Sequence, residues 1–250
     1  MKAQQLNMDV ISNNLANANT TGFKCSRANF GDLMYQLIVP PGAETANDAN
    51  VPTGIQVGMG VKTMSASKLF TQGGFTETGN QLDLAIEGEG FFKVMRGDEE
   101  LYTRAGTFKL DEEGYLCDPE GARLQPEVTV PQEAVAINID PGGSVTALDQ
   151  NGAVIATGEI LLYDFANPAG LMSMGRNCFV PTEASGEAVE GEPGVEGIGS
   201  ILQGFLESSN INVVEEMVNM MSASRSYEAN VTAVKTTKDM AMTALEIGRS

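Results

Sequence analysis

The sequence contains no histidine and no tryptophan. The first absence removes the usual general base near neutral pH, the Ser-His-Asp and Cys-His arrangements, and the commonest zinc ligand together. Any catalysis would have to rest on carboxylates. Asp111, Glu112 and Glu113 stand side by side, but with Gly114 they suit a turn between strands better than an acid/base pair, and they lack the alternating ligand spacing of a calcium loop. The second absence, with only five tyrosines, leaves few rings for stacking on sugars. This weakens the reading from another class, a secreted β-rich carbohydrate-binding protein or carboxylate-dependent glycosidase. No catalytic, cofactor-binding or metal-binding residue is assigned, and no cofactor is expected.

Cysteine is scarce too. Cys25, Cys117 and Cys178 are too few and too scattered for a disulfide framework. No apolar run approaches the length needed to cross a bilayer, and no basic-then-apolar leader precedes the opening helical pattern, so a cleaved signal peptide is not expected. Basic residues number 15 against 33 acidic ones, a net charge of −18, which argues against nucleic acid as a partner because its phosphates would be repelled. Gly88 and Gly90 invite a phosphate-loop reading, but no helix start or P-loop lysine follows them.

The acidity is not spread evenly. Residues 1–39 hold three basic and two acidic side chains, and residues 205–250 hold four and six; the remaining middle holds eight and 25. Ends that crowd around a shared axis cannot tolerate much like charge, whereas an outward-facing domain gains solubility from it.

The ends also share a pattern. Apolar or small residues recur at Met1, Met8, Ile11, Leu15 and Ala18, and again at Val213, Met217, Met220, Tyr227, Val231, Val234, Ala241 and Leu245, in steps near three and four. That spacing predicts two amphipathic helices whose seams pair as a coiled-coil-like domain, with Ser224 and Lys238 as polar interruptions. Asn212 and Glu215 form an Asn-x-x-Glu start for the last helix. Gly22 is suited to stop the first helix with a positive φ, and Phe23 to fold back as an apolar anchor.

Between the ends the period falls to near two. Leu82–Met95 reads as two short strands broken by glycines, followed by Leu101–Arg104 and Gly106–Asp111, with a tight turn at Gly114. Further strands are expected at Glu127–Val130, Val135–Ile139, Ser144–Leu148, Ala153–Ala156 and Glu159–Phe165. The fold class is therefore α+β, with helical ends, a β-rich central domain and an extended arm. Expected boundaries are 1–30 for the first axial helix segment, 31–80 for the arm and connecting β segment, 81–204 for the central domain, and 205–250 for the second axial helix. Pro40, Pro41 and Pro52 bar a helix in the polar stretch they flank, which points to an arm or long hairpin.

Three strings carry a resemblance. The first is Ile11-Ser-Asn-Asn-Leu-Ala-Asn-Ala-Asn-Thr-Thr-Gly-Phe-Lys24, including Asn13, Asn14, Leu15, Ala16, Asn17, Thr21, Gly22 and Phe23. The second holds Gly90, Phe91 and Phe92, then Tyr102, Thr103, Arg104, Gly106 and Phe108; the third runs from Leu206 to Tyr227. Together they resemble the signatures of the rod and hook proteins of the bacterial flagellum, axial subunits that polymerise into its drive shaft. The block from Gly31 to Val61 is similar to that of a rod member rather than a hook member, and no large additional domain interrupts the chain.

The resemblance implies a structural subunit of a helical homo-polymer. It also implies partners among other rod proteins, the hook, the junction proteins and the surrounding basal-body rings, and passage through the flagellar type III export apparatus. The expected location is the rod within the cell envelope. A hook or proximal rod protein is the alternative inside the family. The resemblance also implies further helical residues ahead of the segment matched by Lys2-Ala3-Gln4-Gln5, as rod proteins usually have, so that Met1 is expected to match an internal methionine of that helix.

Overall fold

A computed structural model describes residues 1–40, 53–195 and 197–247; Pro41 and Pro52 of the expected arm fall outside them. The chain divides into two compact units. One comprises Met1–Asn13, Ser26–Ser67 and Val214–Ser250, the other Asn14–Cys25 and Lys68–Val213.

The first unit holds most of two helices, α1 (Lys2–Ala16) and α2 (Val213–Ile247). Helix α2 starts one residue after Asn212, the residue that the sequence marks as its cap, and Glu215 and Glu216 occupy its first turn, where the helix dipole favours negative charge. Four threonines, Thr232, Thr236, Thr237 and Thr243, turn their hydroxyls back onto carbonyls one turn earlier at 2.9–3.0 Å, so they satisfy themselves within the helix. Although 35 residues long, α2 is not apolar enough to span a membrane.

The expected seam positions fall on or beside α1 and α2, but their pairing as a coiled-coil-like domain is not seen among the described residues, and along most of α2 they are uncovered within this chain. In α1, Ile11 is buried and Met8 and Leu15 are half-buried, with Ala18 half-buried just beyond the helix. In α2 every residue from Glu228 to Ile247 is exposed, including Val231, Val234, Ala241 and Leu245, and Met217 is exposed as well. Met220 and Tyr227 are half-buried.

The rest of the first unit is antiparallel ribbon. Ser26–Asp32 and Val61–Lys68 form a two-stranded sheet, and Tyr35–Val39 pairs with Ile55–Gly58 in register Tyr35 to Gly58, Gln36 to Val57 and Leu37 to Gln56. Apolar side chains stand exposed throughout it, with Met34 88% and Met64 72% accessible.

The second unit is β-rich. Its centre is a seven-stranded antiparallel sheet in the order Met172–Gly175, Cys178–Val180, Glu99–Thr103, Phe92–Arg96, Arg123–Gln125, Leu116–Cys117, Lys109–Leu110. Beside it stand a three-stranded meander, Ala136–Ile139, Ser144–Leu148 and Val154–Glu159, and three two-stranded ribbons. Two of these ribbons join chain-distant segments: Leu84–Glu87 with Ser200–Gln203, and Phe75–Glu77 with Phe205–Glu207. The Asp111–Gly114 run is the turn expected of it, with Gly114 at φ 84° and its N–H donated to the Asp111 carbonyl at 2.9 Å.

The strand expected at Glu127–Val130 is corrected. Val128 and Val130 are buried, but only a single bridge from Thr129 to Tyr115 joins that stretch to a neighbour. The alternation there reflects burial without a ladder.

Two apolar clusters fill this unit. The larger includes Leu84, Ile86, Phe92, Val94, Phe108, Leu124 and Ile160; the smaller is aromatic, built on Phe91, Tyr102, Tyr163, Phe165 and Phe179. Its rings meet edge to face, with centroids 5.0 Å apart for Tyr102 and Phe165 and 5.6 Å for Phe91 and Phe165, each such pair adding about 0.5–1.5 kcal/mol beyond its buried area.

Candidate functional site

Parts of the three motif strings, far apart in sequence, meet within the second unit. Helix α1 gives way to turns at residues 17–22, and Gly22 takes φ 68°. A Cβ there would stand 2.7 Å from the Ala105 nitrogen and 2.8 Å from the Arg104 carbonyl carbon, so glycine is required both by the turn and by close approach of two backbones. The Gly22 N–H donates to the Glu207 carbonyl at 2.8 Å. Asn177 Nδ2 donates to the Thr21 carbonyl at 2.7 Å, and Thr103 Oγ1 donates to the Asn177 carbonyl at 2.9 Å. Asn177 lies in the left-handed region with Arg176, at φ 58° and 57°, in the tight turn after Met172–Gly175.

Beneath this seam lies a buried ionic group. Lys24 Nζ donates to Glu207 Oε1 at 2.7 Å and to the Thr71 carbonyl at 2.9 Å, with both charged side chains 1% exposed. The Gly73 N–H donates to the same carboxylate oxygen at 2.9 Å. Arg104 sets its guanidinium 3.6 Å from Glu207 Oε2, donates to the Gly88 carbonyl at 2.8 Å and lies 5.3 Å over the Phe91 ring.

Burial pushes the Lys24 ammonium below its ordinary value, and Glu207 opposes that drop; the same two effects act on Arg104, with Asp164 and Glu89 adding to the opposition. Two buried cations thus share one carboxylate. Such an arrangement is costly to desolvate and more costly to break.

A second set of bonds runs through Asn210. Its Oδ1 accepts the Cys25 N–H at 2.7 Å, while Nδ2 donates to the Leu69 and Thr71 carbonyls at 2.9 and 3.0 Å. The Leu69 N–H returns to the Cys25 carbonyl at 2.8 Å. Lys68 lies 4.5 Å over the Phe23 ring, which is buried.

Most motif residues therefore prove to be internal. Asn14 is buried and donates to Cys25 Sγ at 3.2 Å, while Asn13 and Ala16 are exposed and Asn17 is half-buried. Gly90, Phe91, Phe92, Tyr102, Thr103, Arg104, Gly106 and Phe108 are all buried. Gly106 leaves no room for a side chain, since a Cβ would stand on the Leu84 carbonyl. Sequence reasoning did not single out Lys24, Glu207, Asn177 or Asn210 for this junction. The available signal was the opposite charge of Lys24 and Glu207, each at the edge of a motif string.

The junction has the chemistry of a fastener. Among the described residues no cluster of metal-ligating side chains occurs, and every charged group at the junction is engaged with another part of the chain.

Comparison with known proteins agrees with this. Residues 1–24 match the family described as flagella basal body rod protein, residues 85–147 the D1 domain of flagellar hook protein FlgE/F/G, and residues 202–247 the C-terminal region of flagellar basal body rod FlgEFG protein. The chain is 43% identical over 243 residues to the flagellar basal-body rod protein FlgG of Caulobacter vibrioides, covering 96% of this chain and 93% of the relative. The chain belongs to the FlgG family of flagellar basal-body rod proteins. FlgG of Bacillus subtilis is 34% identical over 254 residues, covering 100% of this chain and 96% of the relative. FlgF of Caulobacter vibrioides is 32% identical over 250 residues, with 96% and 90% covered. The family is structural, so this rod protein is a component of the flagellar basal body and not an enzyme. Its three matched regions contain the three strings, parts of which converge on the junction.

Proposed function

We propose that this chain is the distal rod subunit, polymerising head to tail into a rigid, straight drive shaft that transmits torque from the motor to the hook. The observation that carries the proposal is the bare face of α2. Twenty consecutive helical residues, Glu228–Ile247, are exposed on all sides, with Val231, Val234, Met240, Leu245 and Ile247 among them. A helix with so much uncovered apolar surface is marginal alone in water and gains its stability from a partner. A second copy of this chain, contributing its own helices in a coiled-coil-like arrangement, supplies one.

Non-closing heterologous contacts of this kind generate a helical tube. In that tube residues 1–30 and 205–250 serve as axial segments, 81–204 as the outer β-rich domain, and 31–80 as an arm lying against neighbouring subunits. The near-neutral ends suit the crowded axis, and the acidic middle suits a hydrated outer surface. Other rod proteins, the hook, the junction proteins, the basal-body rings and the type III export apparatus complete the set of partners. Within Caulobacter vibrioides, the identity to FlgG, 43%, exceeds that to FlgF, 32%, which favours a FlgG-like role over that of another rod member.

Val231→Asp or Val234→Asp tests it. A charge placed unpaired in a packed helical interface costs several kcal/mol, so assembly and swimming are expected to fail while the β-rich unit stays folded. Normal swimming in such strains would show that these positions face no neighbour.

A further inference from the structure

We infer that the Lys24–Glu207–Arg104 group couples the two ends of the chain within one subunit, so that the N-terminal motif at residues 20–25 and the C-terminal strand at 205–207 seat and release together. The strand is short, three residues whose one strand partner among the described residues is Phe75–Glu77, and a ribbon of that size is not stable by itself. Its most consequential contribution is the Glu207 side chain, whose carboxylate pairs with both Lys24 and Arg104.

With the strand withdrawn, two buried cations remain side by side. Arg104 still feels Asp164 and Glu89, and Lys24 keeps only the Thr71 carbonyl. The Gly22 N–H loses the Glu207 carbonyl, and the Cys25 N–H loses Asn210, three residues further along the same segment. Conversely, with residues 20–25 withdrawn, Glu207 loses its 2.7 Å bond and its cover. Each segment thus favours the seated form of the other, and such coupling is reciprocal by linkage. The device concerns a single folded subunit and does not depend on how the subunits assemble.

Native-state hydrogen exchange on the purified full-length chain tests it. In the wild type, the amides of Gly22 and Cys25 on one side and of Gly73 and Ser208 on the other are expected to open as one unit, with a common free energy and a common denaturant dependence. Two variants probe each direction. Ser208→Pro removes the N–H that bonds the Gly74 carbonyl at 2.7 Å while keeping all three ionic side chains, and is expected to speed exchange at Gly22 and Cys25 at least tenfold. Lys24→Met is expected to speed exchange at Gly73 and Ser208 likewise. In both, the Ala136–Ile139 and Ser144–Leu148 ladder should keep its protection, which separates local release from general loss of stability. Unequal opening energies in the wild type, or a Ser208→Pro chain with residues 22–25 still protected, would overturn the inference.

Discussion

Gly22→Ala perturbs the junction at its tightest point. Two costs are separable there. A residue with a Cβ in the left-handed region loses about 1–2 kcal/mol relative to glycine. The new methyl would also stand 2.7 and 2.8 Å from backbone atoms of Ala105 and Arg104, and forcing extra volume into a packed site costs about 1–3 kcal/mol more. Backbone atoms cannot rotate away as a side chain can, so the upper part of that range applies.

Gly152→Ala is the matched control. Gly152 has φ 78° and open space where its Cβ would be, so it carries the conformational cost alone. Thermal unfolding followed by circular dichroism should show Gly22→Ala lowering the midpoint by about 6 to 20 °C for a unit of this size, and Gly152→Ala by clearly less. Equal shifts in the two variants would refute the close packing of the first motif against the second.

The remaining predictions concern charge. Glu207→Gln leaves two buried cations without their shared carboxylate and should cost about 3–5 kcal/mol, whereas Lys24→Met leaves the Arg104–Glu207 pair in place and should cost about 1.5–3 kcal/mol for the lost charged hydrogen bond; denaturant titration reads both, and a reversed order would contradict the account of the buried group. Burial, with Glu100 nearby, raises the Tyr102 hydroxyl to about 12, and burial with a 3.0 Å bond to Glu190 raises Tyr163 also. The unfolded chain loses these protons at lower pH than the folded chain does. Stability should therefore be fully present below about pH 10 and fall as pH rises from there through 12. Urea midpoints and tyrosinate absorbance, measured in parallel, check it, and flat stability across that window would be the contrary result.

How much of this was legible in the sequence depends on how local the signal was. Both helices follow from apolar spacing, and Asn212 marks the start of the second one to the residue. The strands at 136–139 and 144–148 follow from alternation between turn residues. Strands such as Val189–Gly191 and Phe205–Glu207 were not legible, because three residues cannot display a period and their partners lie in distant parts of the chain. The stretch at 127–130 misled for the opposite reason: it alternates because alternate side chains are buried, with only one bridge to a partner. At the junction, motif residues were recognised as important but their part in the fold was not. Lys24 and Glu207 stand 183 positions apart, and no local pattern in either segment announces an ion pair across that distance. Gly22 was the exception, since its turn could be read from Thr-Gly-Phe alone.

If the bare face of α2 assembles copies of this chain into a straight shaft, electron microscopy of the concentrated protein will show it. Straight tubes are the expected result, with the α2 stripe from Val231 to Leu245 covered by neighbouring subunits. Curved tubes, or monomers that persist at every concentration, would contradict it.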